Sequence, residues 1–286
     1  MWIMNALASA FFAGTVSILV KVGIKNVDST LATALRTIVV AAFSWLMVFV
    51  VGSQGGIASI SAKNLLFLIL SGLATGGSWL CYFRALQTGD VNKVVPVDKS
   101  STVLTMLLSF FLFRERFTWL EAAAIILIGA GTYLMIERRK GASAAANGYG
   151  WLPFAILSAL LAALSTLLGK AGIEGVESNL GTAIRTVVVL VMAWFIVLLK
   201  GKQCEIKNID PKSWVYIGLS GIATGMSWLC FYRALQEGPA SVVVPIDKLS
   251  ILFTVAFGYF ILHEKLGKKP CAGLALIVTG TVSLLL

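Results

Sequence analysis

The sequence has few charged residues. Aspartate, glutamate, lysine and arginine make up 13% of its 286 residues, whereas a soluble domain has roughly 25%. Hydrophobic residues make up 58%, and they occur in repeated long runs. This composition excludes an ordinary soluble domain and predicts an all-α membrane protein.

Residues that enzymes and metal centres depend on are also scarce. The chain has one histidine, His263, and four cysteines without ligand spacing, and it contains no nucleophile elbow or phosphate-binding loop. We therefore predict that it is not an enzyme and that it holds no metal or cofactor. The net charge of +10 has no basic and aromatic platform beside it, so no nucleic-acid partner is expected.

An internal repeat organises the chain. The stretch Ser71–Ser101 recurs as Ser220–Ser250, and 20 of the 31 aligned positions are identical. The same offset of 149 residues relates Lys21 to Lys170, Arg36 to Arg185 and Glu115 to Glu264. We predict a first repeat over residues 1–137, a linker over 138–150 and a second repeat over 151–286.

Ten segments are apolar and long enough to be predicted as membrane spans, which need roughly 20 residues each. Since five spans per repeat is an odd number, the second repeat enters the membrane in the opposite sense, as an inverted repeat. The N-terminus has no basic region and no clear cleavage site, so residues 2–22 are interpreted as a retained first span. The spans are 2–22, 31–51, 64–87, 92–113, 118–136, 151–171, 180–200, 213–236, 241–262 and 268–286.

The loops on one side of the membrane hold most of the lysines and arginines that lie outside the spans, among them the linker sequence ERRKGASAAANGYG. Basic loops face the cytoplasm. We therefore expect a bacterial cytoplasmic-membrane protein with both termini outside.

Two charged pairs lie inside predicted spans. Asp98-Lys99 and Asp247-Lys248 each follow a proline within an apolar run. A charged side chain at the centre of a span costs about 2.5–3.5 kcal/mol, so these groups should face a cavity or each other. One interpretation is a static ion pair across the axis, Asp98 with Lys248 and Lys99 with Asp247. The other is that the carboxylates contact a substrate or a coupling proton.

Helical spacing places further polar and aromatic residues on the same faces. Hydroxyl groups follow each aspartate at helical spacing, and tryptophans recur at one position of the third and eighth spans. For the tryptophans, core packing and a cavity wall are both open. The candidate substrate-binding or coupling residues are Asp98, Lys99, Asp247, Lys248, Trp79, Trp228, Tyr82, Ser101, Ser250, Thr105 and Thr254.

Other repeated residues have structural interpretations. The close-approach motifs Gly72-x-x-x-Gly76 and Gly221-x-x-x-Gly225 predict helix packing. Snorkelling to the interface is favoured for Arg36 and Arg185. Asp28, Glu177 and Asp210 are predicted to cap helices, and Glu115 and Glu264 to cap a helix or form a loop salt bridge.

These features together resemble the drug/metabolite transporter superfamily of EamA type. The resemblance rests on the proline in the fourth span of each repeat, the acid after it in FRER and LHEK, and fifth spans of the form EAAAIILIGAGTYLM and CAGLALIVTGTVSLL. It implies a basket of ten helices, alternating access and a central site walled by spans 1–4 and 6–9. The Asp-Lys pair is not general in the wider family, so the resemblance implies no particular substrate.

The sequence thus predicts a secondary transporter of a small polar or zwitterionic metabolite, with protons as a candidate coupling ion. The protein is expected to lie in the lipid bilayer as a monomer or homodimer. The alternative is a non-transporting scaffold or lipid-handling protein whose charged pairs hold the bundle together.

Overall fold

The computed structural model describes residues 1–23, 27–88, 91–115, 118–135, 150–263 and 267–285. Its regular structure is helical, which confirms the all-α class, with two short 3₁₀ segments at Ser53–Ser59 and Gln203–Asn208. The α-helices are α1 (Trp2–Gly23), α2 (Ser29–Val51), α3 (Ala62–Thr88), α4 (Val91–Lys99), α5 (Ser101–Phe113), α6 (Trp119–Met135), α7 (Leu152–Gly172), α8 (Ser178–Leu199), α9 (Pro211–Glu237), α10 (Ala240–Lys248), α11 (Ser250–Leu262) and α12 (Lys268–Ser283).

Three predicted caps begin helices as expected. The Asp28 carboxylate accepts hydrogen bonds from the first backbone N–H groups of α2, and Glu177 does the same for α8. Asp210 accepts from the backbone of Ser213, with Pro211 at the first helical position of α9. Each acid satisfies donors that would otherwise lack a partner at a helix start.

Two predicted spans are broken at the charged pairs. The sequence predicted continuous spans over 92–113 and 241–262, but α4 ends at Lys99 and α10 ends at Lys248. Each short helix has 9 residues, a length of about 14 Å, or roughly half of a hydrocarbon core. Pro96 and Pro245 lie inside these helices. Because proline removes a backbone donor, it weakens the helix just before the break.

Eight spans are long and apolar enough to cross a membrane, counting α4–α5 and α10–α11 as one each. The helices α6 and α12 are shorter, with 17 and 16 residues, so the predicted count of ten spans is not established by length. Large apolar side chains cover the outside, as in Trp119 at 91% exposed and Phe111 at 82%. An apolar exterior suits an integral membrane protein.

The helices pack across the two repeats rather than within them. The most extensive contacts are α3 with α7, its repeat equivalent α1 with α9, α2 with α8, and α6 with α12. The pair α6–α12 lies at the periphery, where Gly131 and Gly273 bring the two backbones together. Each repeat therefore completes the core of the other.

The repeated glycines lie at close helix crossings. A Cβ atom built on Gly72 of α3 would lie 2.6 Å from the Val188 Cβ of α8, and one on Gly221 of α9 would lie 2.6 Å from the Val39 Cβ of α2. These separations leave no room for a side chain. The second glycine of each motif faces the same neighbouring helix as the first. Gly76 lies against Met192 of α8, and Gly225 lies against Phe43 of α2.

We predict that Gly221→Ala lowers the thermal unfolding midpoint of the purified protein. The added methyl group would overlap Val39, and overpacking of this kind costs about 1–3 kcal/mol. The matched control is Gly218→Ala in the same helix, where a Cβ atom would find nothing within 4 Å. Equal midpoints for the two variants would contradict the close crossing.

Candidate functional site

The Asp98 carboxylate, at the end of α4, is bonded to Ser158, which is in turn bonded to Ser78. The Ser158 hydroxyl of α7 donates to Asp98 Oδ1 at 2.8 Å. The Ser158 and Ser78 hydroxyl oxygens lie 3.3 Å apart, and the Ser78 hydroxyl donates to the Ser158 carbonyl at 3.0 Å. Asp98 belongs to the first repeat and Ser158 to the second, so this carboxylate joins the two halves.

The Asp247 carboxylate has the equivalent arrangement at the end of α10. The Ser9 hydroxyl of α1 donates to Asp247 Oδ1 at 2.6 Å. Ser9 and Ser227 oxygens lie 3.2 Å apart, and the Ser227 hydroxyl donates to the Ser9 carbonyl at 3.1 Å. The two acids therefore have equivalent partners, each supplied by the first helix of the opposite repeat.

The lysines pair with their sequence neighbours, not across the axis. Lys99 Nζ lies 3.7 Å from Asp98, and Lys248 Nζ lies 3.9 Å from Asp247. The cross-axis pairs considered from the sequence are thus wrong, because each serine-bound carboxylate keeps its second oxygen turned to its own lysine.

The lysines are more exposed than the aspartates beside them. The Lys99 side chain is 57% exposed and the Lys248 side chain 40%, whereas the two aspartates are below 20%. Lys99 and Lys248 also lie near enough to each other for mutual repulsion. The two charged pairs therefore share one region of the protein, and the lysines lie on its more accessible side.

The predicted aromatic residues occupy different places. Trp79 packs on the core of α2, α8 and α9 through Leu31 and Ile217, and Tyr82 packs on a cluster around Trp151. The Trp228 ring lies against a guanidinium, 5.3 Å from Arg185 Cζ. All three predicted aromatic side chains are half-buried.

The predicted hydroxyl residues follow the breaks. Thr105 donates to the Ser101 carbonyl at 2.8 Å, and Thr254 donates to the Ser250 carbonyl at 2.9 Å. These bonds stay within α5 and α11. Ser101 and Ser250 themselves are half-buried at the first positions of those helices.

The two halves differ in how tightly they close. The helix α10 packs against α5, and its residues 241–246 are buried. In the described part of the chain, the equivalent helices α4 and α11 make at most marginal contact, and residues 95–97 of α4 are half-buried. Residues 241–246 of α10 are therefore more deeply buried than residues 95–97 of α4, and we call the N-terminal end of α10 the closed end and the N-terminal end of α4 the looser end.

Glu115 forms the closed end. Its carboxylate accepts hydrogen bonds from the backbone N–H groups of Ala240 and Ser241 at 2.7 and 3.0 Å, and it pairs with Lys170 at 3.1 Å. Lys170 also donates to the Gly238 carbonyl at 2.7 Å. These contacts confirm the predicted capping and salt bridge for Glu115, whereas Glu264 lies outside the described residues.

The environment of Glu115 favours its ionised form. Burial opposes ionisation, but the hydrogen bonds from Ser241 and Ala240 and the charge of Lys170 outweigh it, so the pKa of Glu115 is lowered. The positive end of the α10 dipole acts in the same direction. A lowered pKa means that ionised Glu115 stabilises the closed end.

Sequence reasoning missed the position of Arg185. Snorkelling was favoured, yet Arg185 is 5% exposed and bonds inward to Ser71, Thr75 and Ser165. The sequence did contain a signal for a buried polar partner, because Ser71 and Thr75 lie four residues apart and therefore on one face of α3. Ser9, Ser158, Ser78 and Ser227 also carried a signal, because they recur at repeat-equivalent positions.

Comparisons with known proteins agree with this architecture. The profile of the EamA-like transporter family matches residues 1–137 and again 150–286. An uncharacterized transporter in the cobO 3'region of Sinorhizobium sp is 41% identical over 134 residues, covering 47% of this chain and 95% of that protein. The uncharacterized transporter YxxF of Bacillus subtilis (strain 168) is 26% identical, covering 70% of this chain and 64% of that protein.

A crystal structure shares the fold at a TM-score of 0.75 and 18% identity, covering 99% of this chain and 96% of that one.

We predict that Glu115→Gln loosens the closed end. In a background without the four native cysteines, Ser241→Cys keeps its backbone donor and is buried at 1% exposure. Adding Glu115→Gln removes the charge, and charge-assisted hydrogen bonds contribute about 1.5–3 kcal/mol. The rate of labelling by a water-soluble thiol reagent should rise about tenfold or more.

Acidification should act in the same direction as Glu115→Gln. Because the pKa of Glu115 is lowered in the folded protein, its stabilisation is complete above its ordinary value and is lost as pH falls through the folded value. The control is Glu121→Gln, an exposed acid on α6. If Glu115→Gln leaves the labelling rate unchanged, Glu115 does not hold the closed end.

Proposed function

This chain belongs to the EamA-like transporter family, and we propose that it is a secondary active transporter that moves a small polar or zwitterionic metabolite by alternating access. The observation that carries the proposal is the pair of aspartates within the interrupted spans, each bonded to a serine of the opposite repeat and facing a lysine. Charged groups inside membrane spans mark substrate or ion pathways, because lipid cannot solvate them. In the described part of the chain, α10 also contacts α5 more extensively than α4 contacts α11.

The repeat supplies equivalent parts at both ends of the molecule. Lys21 and Glu264 stand at the positions of Lys170 and Glu115, and α4 stands at the position of α10. By this equivalence, Glu264 is the residue that would hold the start of α4 as Glu115 holds the start of α10. Alternate opening of the two ends would expose the cleft first to one side of the membrane and then to the other.

The charged pairs are suited to binding in the cleft. Asp98 and Asp247 each keep one carboxylate oxygen on a serine and the other toward a lysine. A cationic group or a proton that displaces the lysine would be met by a carboxylate already held in place. Lys99 and Lys248 are then free for anionic groups, and Trp79, Trp228 and Tyr82 supply the apolar wall.

The topology completes the proposal. Ten spans in two inverted repeats require α6 and α12 to cross the membrane, together with the broken spans α4–α5 and α10–α11. The basic linker then lies in the cytoplasm and both termini lie outside the cytoplasmic membrane. This orientation places the closed Glu115 end outside and the looser end inside, in a monomer or homodimer.

We predict that Asp98→Asn and Asp247→Asn each reduce transport about tenfold or more, because each removes one charge-assisted contact. A thermal-shift screen of the purified protein against a metabolite panel identifies a stabilising compound, and its uptake into proteoliposomes is the measurement. The control is Asp210→Asn, since asparagine also caps helices. Full uptake by both cleft variants would remove the two aspartates from the transport mechanism, whereas no uptake by the wild-type protein of any stabilising compound would support the scaffold.

Reporter fusions at residue 143 and after Leu286 test the orientation. We expect the linker reporter to be active in the cytoplasm and the C-terminal reporter to be active outside. A cytoplasmic C-terminus would overturn the assigned orientation and leave the helix packing unchanged.

A further inference from the structure

Arg185 is a buried cation without a counter-ion. It lies in α8, seven residues after Ser178 begins the helix, at 5% exposure. Its Nε donates to Ser71 at 2.8 Å, and its Nη2 donates to Thr75 at 2.7 Å and to Ser165 at 3.1 Å. No carboxylate lies within ion-pair distance of it in the described ranges.

One edge of the guanidinium is left free. The buried Nη1 atom of Arg185 has no hydrogen-bond partner among the described residues. Burying a charge without a counter-ion is unfavourable by several kcal/mol, and an unmade hydrogen bond adds to that cost. Neutral hydroxyl groups orient the guanidinium but leave its positive charge unbalanced.

Aromatic rings fix the plane of this guanidinium. The Trp228 and Tyr232 rings lie 5.3 and 4.9 Å from Arg185 Cζ. The Tyr232 hydroxyl also lies beside Ser71. The two rings and the three hydroxyl groups therefore hold the guanidinium and its free edge in one orientation.

The equivalent residue of the first repeat has no such surroundings. Val16 and Phe83 stand where the second repeat has Ser165 and Tyr232. In the part of the chain that the structure describes, no hydrogen bond or ring contact of the Arg36 side chain is present. If these polar contacts served only helix packing, both repeats would be expected to have them. Because among the described residues they surround Arg185 and not Arg36, we infer a function that requires a single such site.

We propose that Arg185 binds the carboxylate of the transported metabolite, and that this metabolite is a zwitterion. This rests on the proposed transport function. A guanidinium edge matches a carboxylate in geometry and charge. The unbalanced charge of Arg185 is then neutralised by the substrate itself.

The closed end controls access to this subsite. The Nη1 atom is covered in this state. The helix α9, which carries Trp228 and Tyr232, is followed after Gly238 and Pro239 by α10, the helix that Glu115 holds. Release of α10 would move the aromatic cover and uncover the guanidinium edge.

The test compares ligands and variants on the purified full-length protein. The proteinogenic L-amino acids are screened by thermal shift, and each one that binds is compared by calorimetry with its decarboxylated amine. We expect the wild-type protein to bind an amino acid at least about tenfold more tightly than the amine, the effect of one charge-assisted contact.

The variants separate a binding role from a structural one. Arg185→Gln should weaken amino-acid binding about tenfold or more and leave amine binding unchanged, whereas Arg185→Lys, which keeps the charge without the planar fork, should weaken it less. Arg36→Gln is the matched control and should bind as the wild type does. If Arg185→Gln lowers stability but keeps the preference for carboxylates, Arg185 is a packing residue and the proposal is overturned.

The comparison of amino acids with their amines uses the wild-type protein alone. It therefore tests the proposal even if a variant fails to fold. Binding of amines or other metabolites without any amino acid overturns the carboxylate subsite while leaving the transport function intact. Failure of the proposed transport function itself would show as no uptake of any bound compound by the wild-type protein in proteoliposomes, a different measurement.

Discussion

The structure depends on the need to solvate two carboxylates inside an apolar slab. Inside an apolar region, water cannot donate hydrogen bonds to a carboxylate from every side. Serine hydroxyl groups donate them instead: Ser158 donates to Asp98, and Ser9 donates to Asp247. Both bonds cross from one repeat to the other. The groups that most need the protein around them are therefore the groups that join its halves, and any relative motion of the halves changes how well the acids are solvated.

Two copies of one sequence pattern occur in two different environments. The helix α10 is buried and its first N–H groups are bonded to Glu115, while among the described residues α4 contacts α11 less than α10 contacts α5. Under the proposed alternating access, the equivalent segments would exchange these environments.

Much of this architecture followed from the sequence, and the remainder did not for identifiable reasons. The repeat, the apolar runs and the caps at Asp28, Glu177 and Asp210 depend on local patterns, which is why they were predictable. The interruptions after Lys99 and Lys248 were not predicted, because hydropathy averages over a proline without showing where a helix is interrupted.

The pairing within the charged cleft was harder to predict, because it depends on helix rotation. The serines set which way each carboxylate oxygen points, and a contact such as Ser158 to Asp98 joins residues 60 positions apart. The interior position of Arg185 needed three hydroxyl partners from two other helices, and spacing along α8 alone contains no information about them.

The difference between the surroundings of Arg36 and Arg185 has a consequence for how such chains evolve. The Sinorhizobium protein that aligns over 134 residues has about half the length of this chain. If two copies of such a protein paired, both copies would carry the same residue at each equivalent position. Joining two copies in a single polypeptide lifts that restriction, since Val16 and Ser165 can mutate separately. Duplication within one chain therefore lets the two halves differ at equivalent positions, as they do around Arg36 and Arg185.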